Sequence, residues 1–311
     1  MSATAAAVAP RIWTVLELLR WTTQHFGAQG IETPRLDAEC LLAHALGSDR
    51  LRLYLDFDKP VENAERATFR ELVRQRAAER VPVSQLTGCR EFWSLPLRVT
   101  RDVLTPRPET ETLVSVALAR LAVYDAERGA RPAERGGNAA ELHILDIGTG
   151  SGAVALALAR ERSEARVLAT DVSPAALALA SVNAEALGLG ERVRFAAGPL
   201  FAPAAGLRFD LIVSNPPYLA EAEAGGLPPE LAHEPREALF AGADGAAVLR
   251  DLVAGAPAAL VPGGALAVEI APDQAELVVS LCRAAGLEDV AVHPDLARRP
   301  RVVSARARGV V

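Results

Sequence analysis

Leu142-His143-Ile144-Leu145-Asp146-Ile147-Gly148-Thr149-Gly150-Ser151-Gly152 is an apolar run that ends in three alternate glycines, followed by the helix-forming Ala153 to Arg160. A short apolar run closed by glycine predicts a buried strand, a tight turn and a helix. Glycine tolerates positive φ and lets a ligand approach the backbone, so such a turn is a candidate nucleotide site. Downstream the pattern alternates: strand 166–170, helix 174–187, strand 192–195, strand 210–214, helix 245–260, strand 265–270, helix 274–285, and β segments near Val290 and Val302. Alternation of this kind predicts an α/β fold, a mainly parallel sheet covered by helices on both faces.

The glycine spacing is G-x-G-x-G with no lysine after it, which excludes a phosphate-cradling P-loop and departs from the dinucleotide pattern G-x-G-x-x-G. Asp171 ends the next strand nineteen residues past Gly152. A carboxylate there can accept hydrogen bonds from ribose hydroxyls, although Asp171 could also simply cap the helix that starts at Pro174. Asp146 before the turn suits the cationic amino-acid end of S-adenosylmethionine better than a pyrophosphate.

Phe209-Asp210-Leu211-Ile212-Val213-Ser214-Asn215-Pro216-Pro217-Tyr218 delivers a polar tetrad to the same carboxyl edge of the sheet. The Asn215 side chain offers an acceptor oxygen. The carbonyl of Pro216 is a second, held rigidly because each proline fixes its φ near −65°. Two acceptors can grip one NH₂ group, and the Tyr218 ring supplies a face for a planar amide or base and for a nearby sulfonium. The group to be alkylated is thus a conjugated NH₂, whose delocalised lone pair makes orientation the main catalytic lever.

Before this region, apolar residues recur at helical spacing from Ile12 to about Ala78, as in Val15, Leu16, Leu18, Leu19 and Ala38, Cys40, Leu41, Leu42, Ala45, with turn signals between them. A small helical domain is expected. The stretch 92–99, Phe-Trp-Ser-Leu-Pro-Leu-Arg-Val, reads as a hairpin or extended connector, and Thr105 to Glu111 opens a helix continuing to about Tyr124. Residues 125–140, rich in Ala, Arg, Glu and Gly, read as a loop.

The chain has 311 residues, half of them hydrophobic, and no segment suited to span a bilayer; no export signal is read at its start. Three scattered cysteines exclude a disulfide framework and a zinc cluster, and point to the cytoplasm. The net charge of −6 disfavours a broad nucleic-acid surface.

Taken together, Gly88 to Leu97, Thr105 to Glu111, Asp146 to Gly152, Asn215 to Tyr218 and Glu234-Pro235 resemble the bacterial peptide chain release factor N5-glutamine methyltransferases, the HemK family. The resemblance spans nearly the whole chain. It implies a class I S-adenosylmethionine methyltransferase, Rossmann-like with a seven-stranded sheet, over residues 106–311, a hairpin linker at 86–105 and a helical substrate-recognition domain at 1–85. It implies S-adenosyl-L-methionine bound by Gly148, Thr149, Gly150, Ser151, Gly152 and Asp171, and a glutamine clamp formed by Asn215, Pro216, Pro217 and Tyr218, with Asn215 also near the cofactor. The acceptor it implies is the glutamine of the Gly-Gly-Gln motif in class 1 release factors; no stable nucleic-acid partner and no membrane are expected. One departure stands out: Gly198-Pro199-Leu200-Phe201 replaces the usual acidic residue near adenine, leaving Leu200 to offer its backbone N–H and an apolar contact. Competing readings are a ribosomal-protein glutamine methyltransferase, an adenine-N6 DNA methyltransferase sharing the same clamp, a nonenzymatic cofactor-binding module and an NAD-dependent dehydrogenase.

Overall fold

The structure, a computed structural model, describes residues 12–129 and 141–309. The chain divides into two compact units, Met1–Gly88 and Cys89–Val311.

The first unit is helical: α1 (Val15–Ala28), α2 (Pro34–Ala45), α3 (Arg50–Leu55), α4 (Asn63–Ala78) and α5 (Val83–Thr87). Thr14 and Glu17 form a reciprocal capping box at the start of α1, which satisfies backbone donors that a helix end leaves open. Val15, Leu19, Phe26, Leu41, Leu42, Leu53 and Phe69 form its core. The buried Asp37 accepts from Arg76 Nε at 2.8 Å, joining α2 to α4 by a paired rather than an isolated charge.

The second unit opens with a hairpin of β1 (Cys89–Phe92) and β2 (Leu95–Arg98). Its two-residue turn puts Trp93 and Ser94 at φ of 52° and 56°, the left-handed geometry that matches strand twist but disfavours side chains. Two contacts hold it: Glu111 Oε1 accepts from Trp93 N at 2.9 Å, and Glu161 Oε1 accepts from the indole Nε1 at 2.8 Å. Phe92, Leu95 and Leu97 are buried in the core of this unit.

The seven-stranded sheet contains β3 (Leu142–Ile147), β4 (Ala165–Asp171), β5 (Val193–Ala197), β6 (Phe209–Ser214), β7 (Leu260–Glu269), β8 (Glu288–Pro294) and β9 (Pro300–Arg306), in spatial order β5-β4-β3-β6-β7-β9-β8. The first five are parallel; β9 runs antiparallel to β7 and to β8. Helices α6 (Glu111–Gly129), α7 (Ala153–Glu161), α8 (Pro174–Ala186), α9 (Ala247–Ala259) and α10 (Ala275–Ala284) complete the unit. Burial on both faces explains the unbroken apolar strands. Ile144, Leu211, Val213 and Ala265 belong to one core cluster with α6 and α7, while Leu145, Ile147, Ile212 and Leu266 belong to another with α9 and α10. The strand order reverses at β3, so the carboxyl ends of β3 and β6 flank the crevice where ligands of such sheets bind.

Two sequence expectations need correction. The helix expected to end near Tyr124 runs to Gly129, because Asp125 is not loop: its carboxylate accepts from Arg162 Nη2 at 2.5 Å. Of the loop expected at 125–140, residues 130–140 lie outside the described residues. The strand expected from Ala265 begins at Leu260, since Pro262-Gly263-Gly264 forms an irregularity within the strand rather than a break. A Cβ on Gly264 would lie 3.0 Å from the carbonyl oxygens of Phe209 and Val261, a close approach that only glycine permits.

Candidate active site

The turn after β3 is tied down by its own backbone. Gly148 and Thr149 both donate to the Thr170 carbonyl, at 2.8 and 2.9 Å, Gly150 donates to Asp171 Oδ2 at 2.9 Å, and Gly152 donates to the Thr149 carbonyl at 2.9 Å. Four N–H groups of the turn are therefore spent inside the protein. Gly148 and Gly150 have φ of 73° and 55°, and a Cβ at either would meet nothing within 4 Å, so both present bare backbone to open space. Gly152 serves packing instead. Its φ is 85°, and a Cβ there would lie 3.1 Å from Leu156 and 3.2 Å from Ala180, so it lets α7 pass close to α8.

Asp171 uses its second oxygen to accept from Ser173 N at 2.9 Å, while Ser173, not Asp171, caps α8. Asp146 is fully buried, its Oδ2 accepting from the Thr149 hydroxyl at 2.7 Å and from Ala155 N at 3.2 Å. Burial pushes its carboxyl up to about 7; those two hydrogen bonds oppose the shift and the nearby Asp171 charge adds to it.

A cavity of about 340 Å³ opens at this edge, within the range of ~300–1,000 Å³ usual for small-molecule sites. It brings together Gly148, Thr149, Gly150, Ser151, Asp171, Leu200, Asn215, Pro216 and Pro217 of the residues singled out in the sequence. Gly152 and Tyr218 are not in its wall. Pro199 and Leu200 do line it; Leu200 has φ of 45°, and Gly198 donates to the Asp171 carbonyl at 3.0 Å, which ties this turn to the end of β4. Glu237 and, from α9, Asp251 also line the cavity. With Asp102, Asp146 and Asp171 they make five acidic lining residues against one basic one, Arg107. That balance fits a cation carrying an ammonium and a sulfonium, and opposes a pyrophosphate. A second cavity, about 600 Å³, lies within the helical unit among Trp13, Trp21, Phe69 and Arg70, and none of these site residues lines it.

On the far side of the crevice, β6 delivers Asn215. Its Nδ2 donates to the Thr110 hydroxyl at 3.1 Å, while its Oδ1 is buried without a hydrogen-bond partner among the described residues. A buried acceptor left open costs roughly 1–3 kcal/mol, and here it sits on the residue of the tetrad best suited to hold an NH₂ group. The backbone beyond it is fixed: Leu219 N donates to the Leu239 carbonyl at 3.0 Å, Ala241 N to the Leu219 carbonyl at 2.9 Å, and Gln274 Nε2 to the Tyr218 carbonyl at 3.1 Å. Tyr218 is half-buried, and burial, then the Glu269 charge, raises its phenol.

Several residues of the site were given no role there from the sequence. Thr110 had been seen only as part of a helix start. Glu234 is buried and accepts from Arg107 Nη2 at 2.6 Å and from Thr105 N at 3.2 Å, so it holds the segment entering α6 against the cavity; its pairing with proline was the one available signal. Asn183 of α8 bonds both backbone groups of Arg98 and the Ser151 carbonyl, linking the hairpin to the glycine turn. Nothing in its helical surroundings marks it out. Among the described residues no group of three His, Cys, Asp or Glu side chains is placed to hold a metal.

Known proteins resemble this chain over both of its units. The profile of the PrmC N-terminal domain matches residues 17–88, and that of the Methyltransferase small domain matches residues 137–244. The chain is 42% identical to the release factor glutamine methyltransferase of Rhodopirellula baltica, over 94% of this chain and 96% of that one. It is 44% identical to the protein of that name from Cereibacter sphaeroides (93% and 97% covered), and 46% identical to that from Xylella fastidiosa strain Temecula1 (88% and 94%). Among solved structures, the hMettl16 catalytic domain, in complex with MAT2A 3'UTR hairpin 6, superposes with a TM-score of 0.55 at 13% identity, covering 74% of this chain and 82% of that one, a likeness of fold alone.

Proposed function

The chain belongs to the release factor glutamine methyltransferase family, and on that premise we propose that it transfers a methyl group from S-adenosyl-L-methionine to the side-chain amide nitrogen (N5) of the Gly-Gly-Gln glutamine in class 1 peptide chain release factors. The observation that carries this reading is the buried, unpaired Oδ1 of Asn215 beside an acidic cavity.

S-adenosylmethionine supplies an electrophilic methyl group on a positively charged sulfur. Gly148 to Ser151 shape its berth, Asp171 is the acceptor for its ribose hydroxyls, Asp146 the negative charge nearest its amino-acid end, and Leu200 an apolar contact for its base. Gly152 contributes by setting the turn through helix packing. At the acceptor, the amide nitrogen is a poor nucleophile because its lone pair is delocalised, with a resonance barrier of ~18–20 kcal/mol. Asn215 Oδ1 and the Pro216 carbonyl hold its two N–H bonds, which turns the lone pair toward the methyl group and stabilises the positive charge developing on nitrogen. Pro217 keeps that carbonyl rigid, and Tyr218 packs beside the amide. No general base is required, because the alkylated amide cation is strongly acidic.

In the same reading residues 1–85 recognise the protein substrate, 86–105 link and 106–311 carry the chemistry; the profile match over 17–88 supports a distinct N-terminal domain. Among the described residues no helix is long and apolar enough to cross a membrane; a cytoplasmic enzyme without a stable nucleic-acid partner belongs to the same reading.

The test is to incubate the protein with labelled S-adenosylmethionine and either release factor or duplex DNA, and to map the label. It is expected on the Gly-Gly-Gln glutamine alone. Label on adenine with none on release factor would replace this reading with the DNA methyltransferase one.

A further inference from the structure

Resting on the cofactor part of that reading, we infer that Asp251 of α9 is a specificity-determining residue: its carboxylate takes the exocyclic NH₂ of the S-adenosylmethionine base, while the Leu200 N–H meets the ring nitrogen beside it.

The place of the base follows from that of the ribose. Asp171 at the end of β4 pairs with Ala197 at the end of β5, and Gly198 N donates to the Asp171 carbonyl, so the turn 198–201 leaves the sheet beside the ribose carboxylate. With the amino-acid end toward Asp146, the base falls on the other side of Asp171. There Val172, an apolar side chain more than half exposed, lines the cavity together with Gly198, Pro199 and Leu200.

Helix α9 reaches the same turn. A Cβ on Gly255 would collide with the Phe201 ring, so the helix packs on the turn as closely as a glycine permits. Val248, Asp251 and Gly255 follow the i, i+3, i+7 spacing of one helix face, and the first two line the cavity. Asp251 thus stands one turn of helix from the contact with Phe201. Its carboxylate is exposed and accepts no hydrogen bond among the described residues; the adjacent Arg250 pairs with Asp244 instead. The Leu200 N–H is open too, presented by a left-handed φ of 45° and donating to no acceptor among the described residues.

One open donor and one open acceptor therefore belong to the wall on which the base lies. Adenine carries the complementary pair on its Watson–Crick edge, where N1 accepts and the N6 amine donates. Hypoxanthine carries the reverse, an N1–H and a carbonyl, which would set donor against donor and oxygen against carboxylate. The helix in this way supplies a carboxylate that Gly198-Pro199-Leu200-Phe201 does not carry. Two other acidic residues of the wall lie off this helix face: Asp102 already accepts from the Thr100 hydroxyl at 2.9 Å, and Glu237 sits on the 3₁₀ turn Arg236–Ala238.

The experiment is calorimetry on full-length wild type, Asp251→Ala, Asp251→Asn and Glu237→Gln, each confirmed folded by its melting curve. The ligands are S-adenosylhomocysteine and its hypoxanthine counterpart, S-inosylhomocysteine. Neither carries a sulfonium, so the loss of a negative charge from the wall acts on both alike. Wild type is expected to bind the adenine form about tenfold more tightly or better. Asp251→Ala should lose about tenfold in affinity for S-adenosylhomocysteine and none for S-inosylhomocysteine, and Asp251→Asn, whose amide can donate to the hypoxanthine carbonyl, should narrow the preference. Glu237→Gln should leave the ratio of the two affinities unchanged. An equal loss of both ligands in the Asp251 variants would mean a structural role, and a ratio that moves with Glu237 rather than Asp251 would give the acceptor to that residue. Either result overturns the proposal, as does a wild type that binds both forms alike. The measurement needs no methyl acceptor, so a wild type that reads the base through Asp251 but labels no release factor refutes the acceptor reading and leaves the base readout standing.

Discussion

The turns that follow β3 and β6 leave adjacent parallel strands, paired at Ile147 and Ser214, yet they treat their polar groups in opposite ways. The glycine turn spends its donors inward, on Thr170, Asp171 and Thr149. The Asn-Pro-Pro-Tyr turn leaves the oxygen of Asn215 buried and open. The first is a finished surface that recognises by shape and by carboxylates. The second is an incomplete hydrogen bond that a substrate completes, so part of the cost of leaving it open is returned only when an acceptor NH₂ arrives.

The contrast predicts that damage to each turn has its own signature, and the largest effect is at Asn215. Asn215→Ala removes the open acceptor and should lower kcat by roughly 10²–10³ while leaving the fold and cofactor affinity largely intact. Turnover with labelled cofactor and release factor, beside calorimetry, reads both; near-normal turnover would end the clamp mechanism. Asp171→Ala should do the reverse, weakening S-adenosylmethionine binding at least ~10-fold with little change in kcat at saturation, since a hydrogen bond to a charged group contributes ~1.5–3 kcal/mol. Its effect also includes release of Gly150 N, which loses its acceptor. Unchanged affinity by calorimetry would reduce Asp171 to a brace of the turn.

What the sequence disclosed follows the same division. Strand, glycine turn and tetrad were legible because each is a local pattern: period, glycine and proline act on neighbours along the chain. Asp171 was legible as the end of the next strand. Thr110 was not, because it matters through a hydrogen bond from Asn215, 105 residues away in sequence. Asp251 and Glu237 were hidden as well, because only the tertiary fold brings them to the wall of the cavity. Proline and glycine misled at 262–264, where a break signal is in fact an irregularity inside β7. Gly152 looked like its neighbours in the motif, yet only tertiary packing reveals that it faces a helix.

Gly152→Ala therefore sharpens the comparison from within the glycine turn. A left-handed φ of 85° and contacts at 3.1 and 3.2 Å make any side chain there unfavourable. A loss of roughly 1–2 kcal/mol of stability is expected from the backbone term, read as a lower melting temperature, while the protein that remains folded binds S-adenosylmethionine as before. Lost affinity with unchanged melting would return Gly152 to the cofactor surface.

The smallest effect tests whether the finished turn is as passive as it looks. Asp146 is raised from an ordinary carboxyl value to about 7 by burial, so near neutral pH it is only partly ionised in the free protein. A cation bound beside it favours the carboxylate, so binding should release protons and tighten as pH rises from 6 to 8, by at most about tenfold. The sign for folding is opposite. The raised value means that the folded form holds a proton the unfolded chain has already lost between about pH 4 and pH 7. The stability Asp146 contributes is full below that window and gone above it, so the cofactor-free protein should lose stability as pH climbs through the range in which it gains affinity. Glu269, also raised to about 7, adds to the stability trend, and Asp146→Asn separates the two. That variant should bind more weakly at pH 8 with a flat pH dependence, because it keeps an acceptor for Thr149 but has no charge to gain. Calorimetry in buffers of different ionisation enthalpy counts the protons directly: a wild type that releases none on binding would mean that Asp146 stays protonated beside the ligand, and that the acidity of the cavity resides in Asp102, Asp171, Glu237 and Asp251 alone.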